Sequence, residues 1–156
     1  MQWVAQDDPY GCGVACVAMV ADKTYADVKA LVGRGWTGQN DGLTYYELFD
    51  LLSQLGFAVR GLRHTMEARN RPERLWPPDP FSDVHIVLVD GFESGHFVVW
   101  CRDGRVLDPA RPGVYGLQDY EHVAQVLGVY RAESLTAAAA KTFFEAPGYV
   151  LPGQLS

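Results

Sequence analysis

The sequence predicts an α+β fold, on three observations. Residues 14–20 are apolar with no polar stripe, the mark of a helix buried on all sides. Leu48, Leu51, Leu52 and Leu55 recur at helical spacing and signal a second helix. Strand signals follow them, as apolar and β-branched runs at Phe57–Leu62, Val84–Val89 and His96–Cys101. Helices first and strands later is the pattern of a segregated α+β chain, not of an alternating parallel sheet.

The 156 residues suit a single domain with its own core. Its expected parts are a mainly helical stretch 1–56, a mainly β stretch 57–131 and a C-terminal helix and tail 132–156. With 48% hydrophobic and 21% charged residues the chain is ordinary for a globular protein. A formal net charge of −6 gives no support to nucleic-acid binding. No apolar stretch reaches the length of a membrane span. The start, Met1-Gln2-Trp3-Val4-Ala5-Gln6, lacks the basic residues and apolar run of a signal peptide. Three cysteines do not make a disulfide framework, so a reduced, cytoplasmic protein is expected.

Taken in order, the chain opens on Gln6-Asp7-Asp8-Pro9-Tyr10-Gly11-Cys12-Gly13. Pro9 and Gly11 punctuate a turn, and Gly13 allows a close approach. Cys12 therefore stands where an exposed turn meets the N-terminus of the buried helix. Unpaired N–H groups and the helix dipole there favour a thiolate, the nucleophilic form of cysteine. Gln6 offers a side-chain amide that a tight turn could bring beside the sulfur, to share an oxyanion with the Cys12 N–H.

Thr24 or Tyr25 starts a short amphipathic helix to residue 31, stopped by Gly33. The glycine-rich loop 33–42 lacks the Lys-Ser/Thr ending of a phosphate loop and follows no strand. Thr44 and Glu47 form a capping box for the leucine helix, which Gly56 ends. Residues 63–80 hold four arginines and four prolines. They read as a solvated surface loop, with substrate recognition as the alternative. After the strand Val84–Val89 and the strand opened by His96, Arg105 to Asp108 forms a further strand ended by Pro109. A short helix is expected over 119–127, a closing strand over 128–131, a helix over 134–144 and irregular coil from Pro147.

The turn at Arg102-Asp103-Gly104 decides whether His96 and Asp108 can meet. A two-residue turn would pair Val99 with Asp108 and turn Asp108 away from His96. A three-residue loop, with Gly104 left-handed, pairs Cys101 with Arg105 and Val98 with Asp108. Asp108 then shares the His96 face at a diagonal of about 7–8 Å between Cα atoms. The three-residue loop is predicted. A histidine near Cys12 can take its proton, and a carboxylate can fix the tautomer of the ring.

Three motifs now stand in order: Gln6-x5-Cys12-Gly13 opening an apolar helix, Gly95-His96-Phe97-Val98-Val99, and Leu107-Asp108-Pro109. Together they resemble the papain-like cysteine peptidases that process bacteriocin precursors by removing a leader peptide after a double glycine. The resemblance runs from about residue 6 to 130 and includes Gly42-Leu43-Thr44. It implies a papain-like fold, with Cys12 as nucleophile, His96 as general base and acid, Asp108 as orienting residue and Gln6 as oxyanion amide. It implies a peptide or protein substrate with a glycine-rich cleavage site, and no cofactor. Two departures stand out. The family's peptidase is usually the N-terminal domain of an ABC exporter, whereas a free-standing domain is expected here. Gly11 also occupies the position where the family usually has Asp.

Each residue has a plainer alternative. Cys16 and Cys101 read as buried packing. A zinc site from Cys12, Cys16 and His96 lacks paired spacings and a fourth ligand, so no metal is expected. His85 is the rival base but has no Asp-Pro strand after it, while His64 and His122 read as exposed. Asp108 alone would be a turn residue before proline, and Gln6 alone a solvated side chain. The leading function is thus a cysteine peptidase. A thiol acyltransferase or amidase with the same residues, or a non-catalytic peptide-binding relative, are the alternatives.

Overall fold

A computed structural model describes residues 1–62, 82, 84–89, 95–132 and 149–150. Helix α1 (Cys12–Ala21) is the centre of the core, with Cys12 through Val20 all buried. It has no polar face because it meets α2 (Tyr25–Lys29) and α3 (Tyr45–Gln54) on one side and a β-sheet on the other. It ends at Asp22, which takes the left-handed conformation at φ 54°.

Thr24 caps α2 by accepting from the Asp27 N–H at 3.1 Å. The α-helix stops at Lys29, short of the expected residue 31, and i+3 bonds from Leu31 and Val32 tighten the last turn. Helix α3 has the expected capping box. Thr44 Oγ1 accepts from the Glu47 N–H at 3.2 Å, and Glu47 Oε1 from the Thr44 N–H at 3.0 Å. Its leucines Leu48, Leu51 and Leu52 are buried, and Gly56 follows at φ 87°.

The strands are β1 (Phe57–Leu62), β2 (Val84–Val89), β3 (His96–Cys101), β4 (Val106–Asp108), β5 (Arg111–Tyr115), β6 (Val123–Arg131) and β7 (Tyr149–Val150). They form one antiparallel sheet in the order β5-β4-β3-β2-β6-β1-β7. Phe97, Val99, Ile86, Leu127 and Val129 pack toward the helices. Val87, Val98, Trp100, Val123 and Val126 form a second cluster with Leu117 and Tyr120. No helix among the described residues is long and apolar enough to cross a membrane.

The β3–β4 hairpin has the three-residue loop. Val99 pairs with Leu107 and Trp100 with Val106, the Cys101 N–H bonds Arg105 O at 2.8 Å, and Gly104 stands at φ 95°. Two other expectations are corrected. Residues 119–127 are not a helix: a 3₁₀ turn covers Leu117–Asp119 and β6 begins at Val123. The cause is a β-bulge. Leu88 pairs with Gln125 but Val89 with Val123, so Ala124 is an extra residue. The bulge puts Val123 and Val126 on one face, three residues apart, which imitates helical spacing. The tail is not wholly coil, because Tyr149–Val150 pairs with Leu62 and Gly61 of β1. Strand β5 was masked in the sequence by Pro112 and Gly113, which an exposed edge strand tolerates. The arginine- and proline-rich loop 63–80, its His64 and the expected helix 134–144 lie outside the described residues.

Candidate active site

Cys12 is the first residue of α1, with Gly11 as its N-cap and no side-chain cap on the helix. Its own N–H therefore faces the helix end without an intrahelical acceptor. The start of β3 lies over it. The Phe97 N–H points at Cys12 Sγ, with N to S at 3.5 Å, and His96, the residue before it, lines the same cleft as Cys12. Cys12 is 8% exposed and opens on a cleft of about 700 Å³. Pro9 and Tyr10 line one side of the cleft, and residues 40–43 another. Gly13 allows the close approach expected of it, but to a side chain: Leu43 lies 3.2 Å from where a Cβ would stand.

His96 Nε2 is 2.6 Å from Asp108 Oδ1. The register explains the meeting, since Asp108 falls opposite Val98, on the His96 face. Asp108 also begins the β4–β5 link, where Oδ1 accepts the Ala110 N–H at 2.9 Å in an Asx-type turn. Oδ2 accepts from the Tyr120 hydroxyl at 2.7 Å and Arg111 Nε at 3.3 Å. Burial raises the pKa of the Asp108 carboxyl, but the His96, Tyr120 and Ala110 donors outweigh it and bring it to about 2. Burial likewise lowers that of His96, and the bond to Asp108, with the neighbouring Cys12, overrides it, to about 9. The pair is an imidazolium beside a carboxylate at neutral pH.

Gln6 reaches the same corner. Its N–H bonds Pro109 O at 3.0 Å, and Trp3 Nε1 donates to Asp108 O at 2.7 Å, so the N-terminal segment is tied to the β4–β5 link. Gln6 Nε2 donates to Asp8 O at 3.2 Å and Pro9 O at 3.0 Å. Both amide hydrogens thus stay within the turn, while Oε1 is buried without a hydrogen-bond partner.

A buried acid holds that turn. Asp8 Oδ2 accepts from Tyr25 Oη at 2.7 Å and Lys29 Nζ at 2.8 Å, and Oδ1 from Gln39 Nε2 at 3.0 Å. The Lys29 ammonium, then Tyr25, hold the Asp8 carboxyl below its ordinary range. The sequence left this clamp, the Phe97 N–H, Tyr120 and Arg111 unread. Only the Tyr25 and Lys29 spacing on α2, one turn apart, hinted that two donors share a face.

The other candidates separate from the site. Cys16 is fully buried, and burial, then the charges of Cys12 and Asp108, push its thiol well up. Burial also raises Cys101. All three cysteines are free thiols. His85 is fully buried in β2 against Trp100, its Nδ1 3.3 Å from Trp100 O. His122 is half-buried, not exposed, beside Glu121 at 3.8 Å. Among the described residues no group of three His, Cys, Asp or Glu side chains is arranged to hold a metal ion.

The family model described as Peptidase C39 family matches residues 1–105, a span that includes Gln6, Cys12 and His96 and stops before Asp108. No curated protein matches the chain. Nine chains of known structure are similar to it, among them three peptidases. The peptidase domain of Streptococcus ComA, described as a bi-functional ABC transporter involved in a quorum sensing pathway, is 17% identical. It matches over 83% of this chain and 98% of its own, with a TM-score of 0.56. A double glycine motif protease from an AMS/PCAT transporter, in complex with the leader peptide, is 18% identical over 83% of this chain and 91% of its own, with a TM-score of 0.55. The Streptococcus mutans ComA peptidase domain is 16% identical over 83% and 99%, with a TM-score of 0.51.

Proposed function

Because the chain belongs to the peptidase C39 family of papain-like cysteine peptidases, we propose that it cuts a peptide bond with Cys12 as nucleophile, His96 as general base and acid, Asp108 as orienting carboxylate and Gln6 as oxyanion donor. A histidine hydrogen-bonded to Asp108 and sharing one cleft with Cys12, at a helix N-terminus, is the observation that carries this reading.

His96 holds the Cys12 proton while the sulfur attacks the substrate carbonyl carbon. The carbonyl oxygen becomes an oxyanion, which the Cys12 N–H stabilises. Gln6 joins it by exchanging its bond to Pro9 O, the exposed one of its two acceptors, for the oxyanion. The imidazolium then protonates the leaving amine, the C–N bond breaks, and a thioester remains. His96 takes a proton from water, the hydroxide attacks the thioester, and the C–S bond breaks with the proton kept on His96, as at the start. Asp108 keeps the ring in one orientation throughout.

The substrate we infer is a leader peptide with a glycine-rich cut site. The double glycine motif protease bound to its leader peptide, similar in fold, supports this. The test is cleavage of synthetic peptides with a Gly-Gly or an Ala-Ala junction, followed by mass spectrometry, using the protein and its Cys12→Ala variant. Cutting after Gly-Gly by the wild type alone is expected. Full cleavage by Cys12→Ala would remove the nucleophile assignment, and transfer of the acyl group to an added amine ahead of water would replace hydrolysis by acyl transfer.

A further inference from the structure

The geometry points to Tyr120 and Arg111 as positioning residues that clamp one oxygen of Asp108 and so aim the other at His96. This rests on the Cys12–His96–Asp108 reading above. The Asp108 side chain is only 4% exposed. A carboxylate so buried needs donors on both oxygens. Oδ1 is shared by His96 and the Ala110 N–H, and Oδ2 by Tyr120 and Arg111. An aspartate's soft motion is rotation about its Cβ–Cγ bond, which would swing Oδ1 out of the plane His96 requires. Two donors on Oδ2, from different directions, stop that rotation.

The surrounding structure is arranged around these two donors. Tyr120 closes the 3₁₀ turn Leu117–Asp119, is 6% exposed, and packs in the second cluster beside Val123 and Val126. Arg111 is the first residue of β5, an edge strand otherwise exposed and poor in strand formers. Its guanidinium carbon lies 4.0 Å from the Tyr115 ring centroid and 5.4 Å from that of Tyr120. The Tyr115 hydroxyl is tied to Pro112 O at 2.7 Å. The guanidinium is therefore held between two rings with Nε toward Asp108. An edge strand that adds little to the core thus delivers one charged donor to the carboxylate behind the histidine.

The test needs no substrate. Iodoacetamide labelling of Cys12 at pH 6.5, mapped by mass spectrometry, reads the Cys-His pair, and the ¹H NMR resonance of His96 Nε2–H reads the bond to Asp108. Tyr120→Phe should slow labelling about tenfold, the loss expected for one hydrogen bond to a charged group, and broaden the resonance. In an Asp108→Ala background the same change should alter the rate less than about twofold, because the clamped group is gone. Arg111→Met, at an exposed position, should also slow labelling, and Arg111→Lys should recover part of it. If Asp108→Ala slows labelling but Tyr120→Phe and Arg111→Met do not, the clamp is wrong and the triad stands. Equal losses from Tyr120→Phe in both backgrounds also overturn the clamp. An Asp108→Ala rate equal to wild type overturns the triad reading and the clamp with it.

Discussion

The Tyr25 hydroxyl occupies the space that a side chain at residue 11 would fill, so Gly11 is glycine because α2 is packed against the turn before Cys12. The same hydroxyl donates to Asp8. Gly11→Ala should destabilise the protein by about 1–3 kcal/mol through overpacking. Thermal denaturation checks this, and Tyr25→Phe in the same chain should recover part of the loss.

Asp8→Asn keeps the side-chain shape and removes the charge that Lys29 pairs with. The expected loss is about 1–2 kcal/mol at pH 7. The native Asp8 pKa is lowered, so this stabilisation is present above the ordinary carboxyl range and is lost as pH falls through the native value. Melting temperatures of wild type and variant should converge in acid. A gap that persists unchanged at low pH would show that the ion pair is not its source.

For His96 the sign is opposite. Its native pKa, about 9, lies above the ordinary 6.5, so its pairing stabilises the fold fully below about pH 6.5 and the effect is lost as pH rises through 9. Asp108, at about 2 against 3.8, contributes above about pH 4 and loses this as pH falls through 2. Peptidase activity should show an alkaline limb near pH 9, where the imidazolium that protonates the amine is lost. Asp108→Asn should move that limb to lower pH. A limb that stays in place would separate Asp108 from His96 tuning.

Gln6→Ala should lower kcat by about 10²–10³-fold if its amide joins the oxyanion. Labelling of Cys12 by iodoacetamide should be nearly unchanged, because that displacement forms no tetrahedral oxyanion. A comparable loss in labelling would mean that Gln6 supports the turn, through its bonds to Asp8 O and Pro9 O, instead of the oxyanion.

Cys16→Ala should cost stability, about 1 kcal/mol for a small buried side chain, and leave activity intact. Activity that disappears with Cys16→Ala while the melting temperature holds would reassign the nucleophile.

Local signals in the chain were enough for the elements whose pattern is short-range. The all-apolar run after Cys12 determined a buried helix, the Thr44–Glu47 box determined where α3 starts, and the turn around Gly104 determined the register that brings Asp108 to the His96 face. These depend on residues within a few positions of one another, so sequence alone carries them. What only the tertiary structure decided are contacts between segments far apart in the chain. The Ala124 bulge exists because β6 must match β2, and it disguised a strand as a helix. The Phe97 N–H on Cys12, the Asp8 clamp from α2 and Gln39, and the Tyr120 hydroxyl on Asp108 join residues that no local pattern links. A side chain's periodicity says which face it occupies; which partner meets it there is set by how the elements pack.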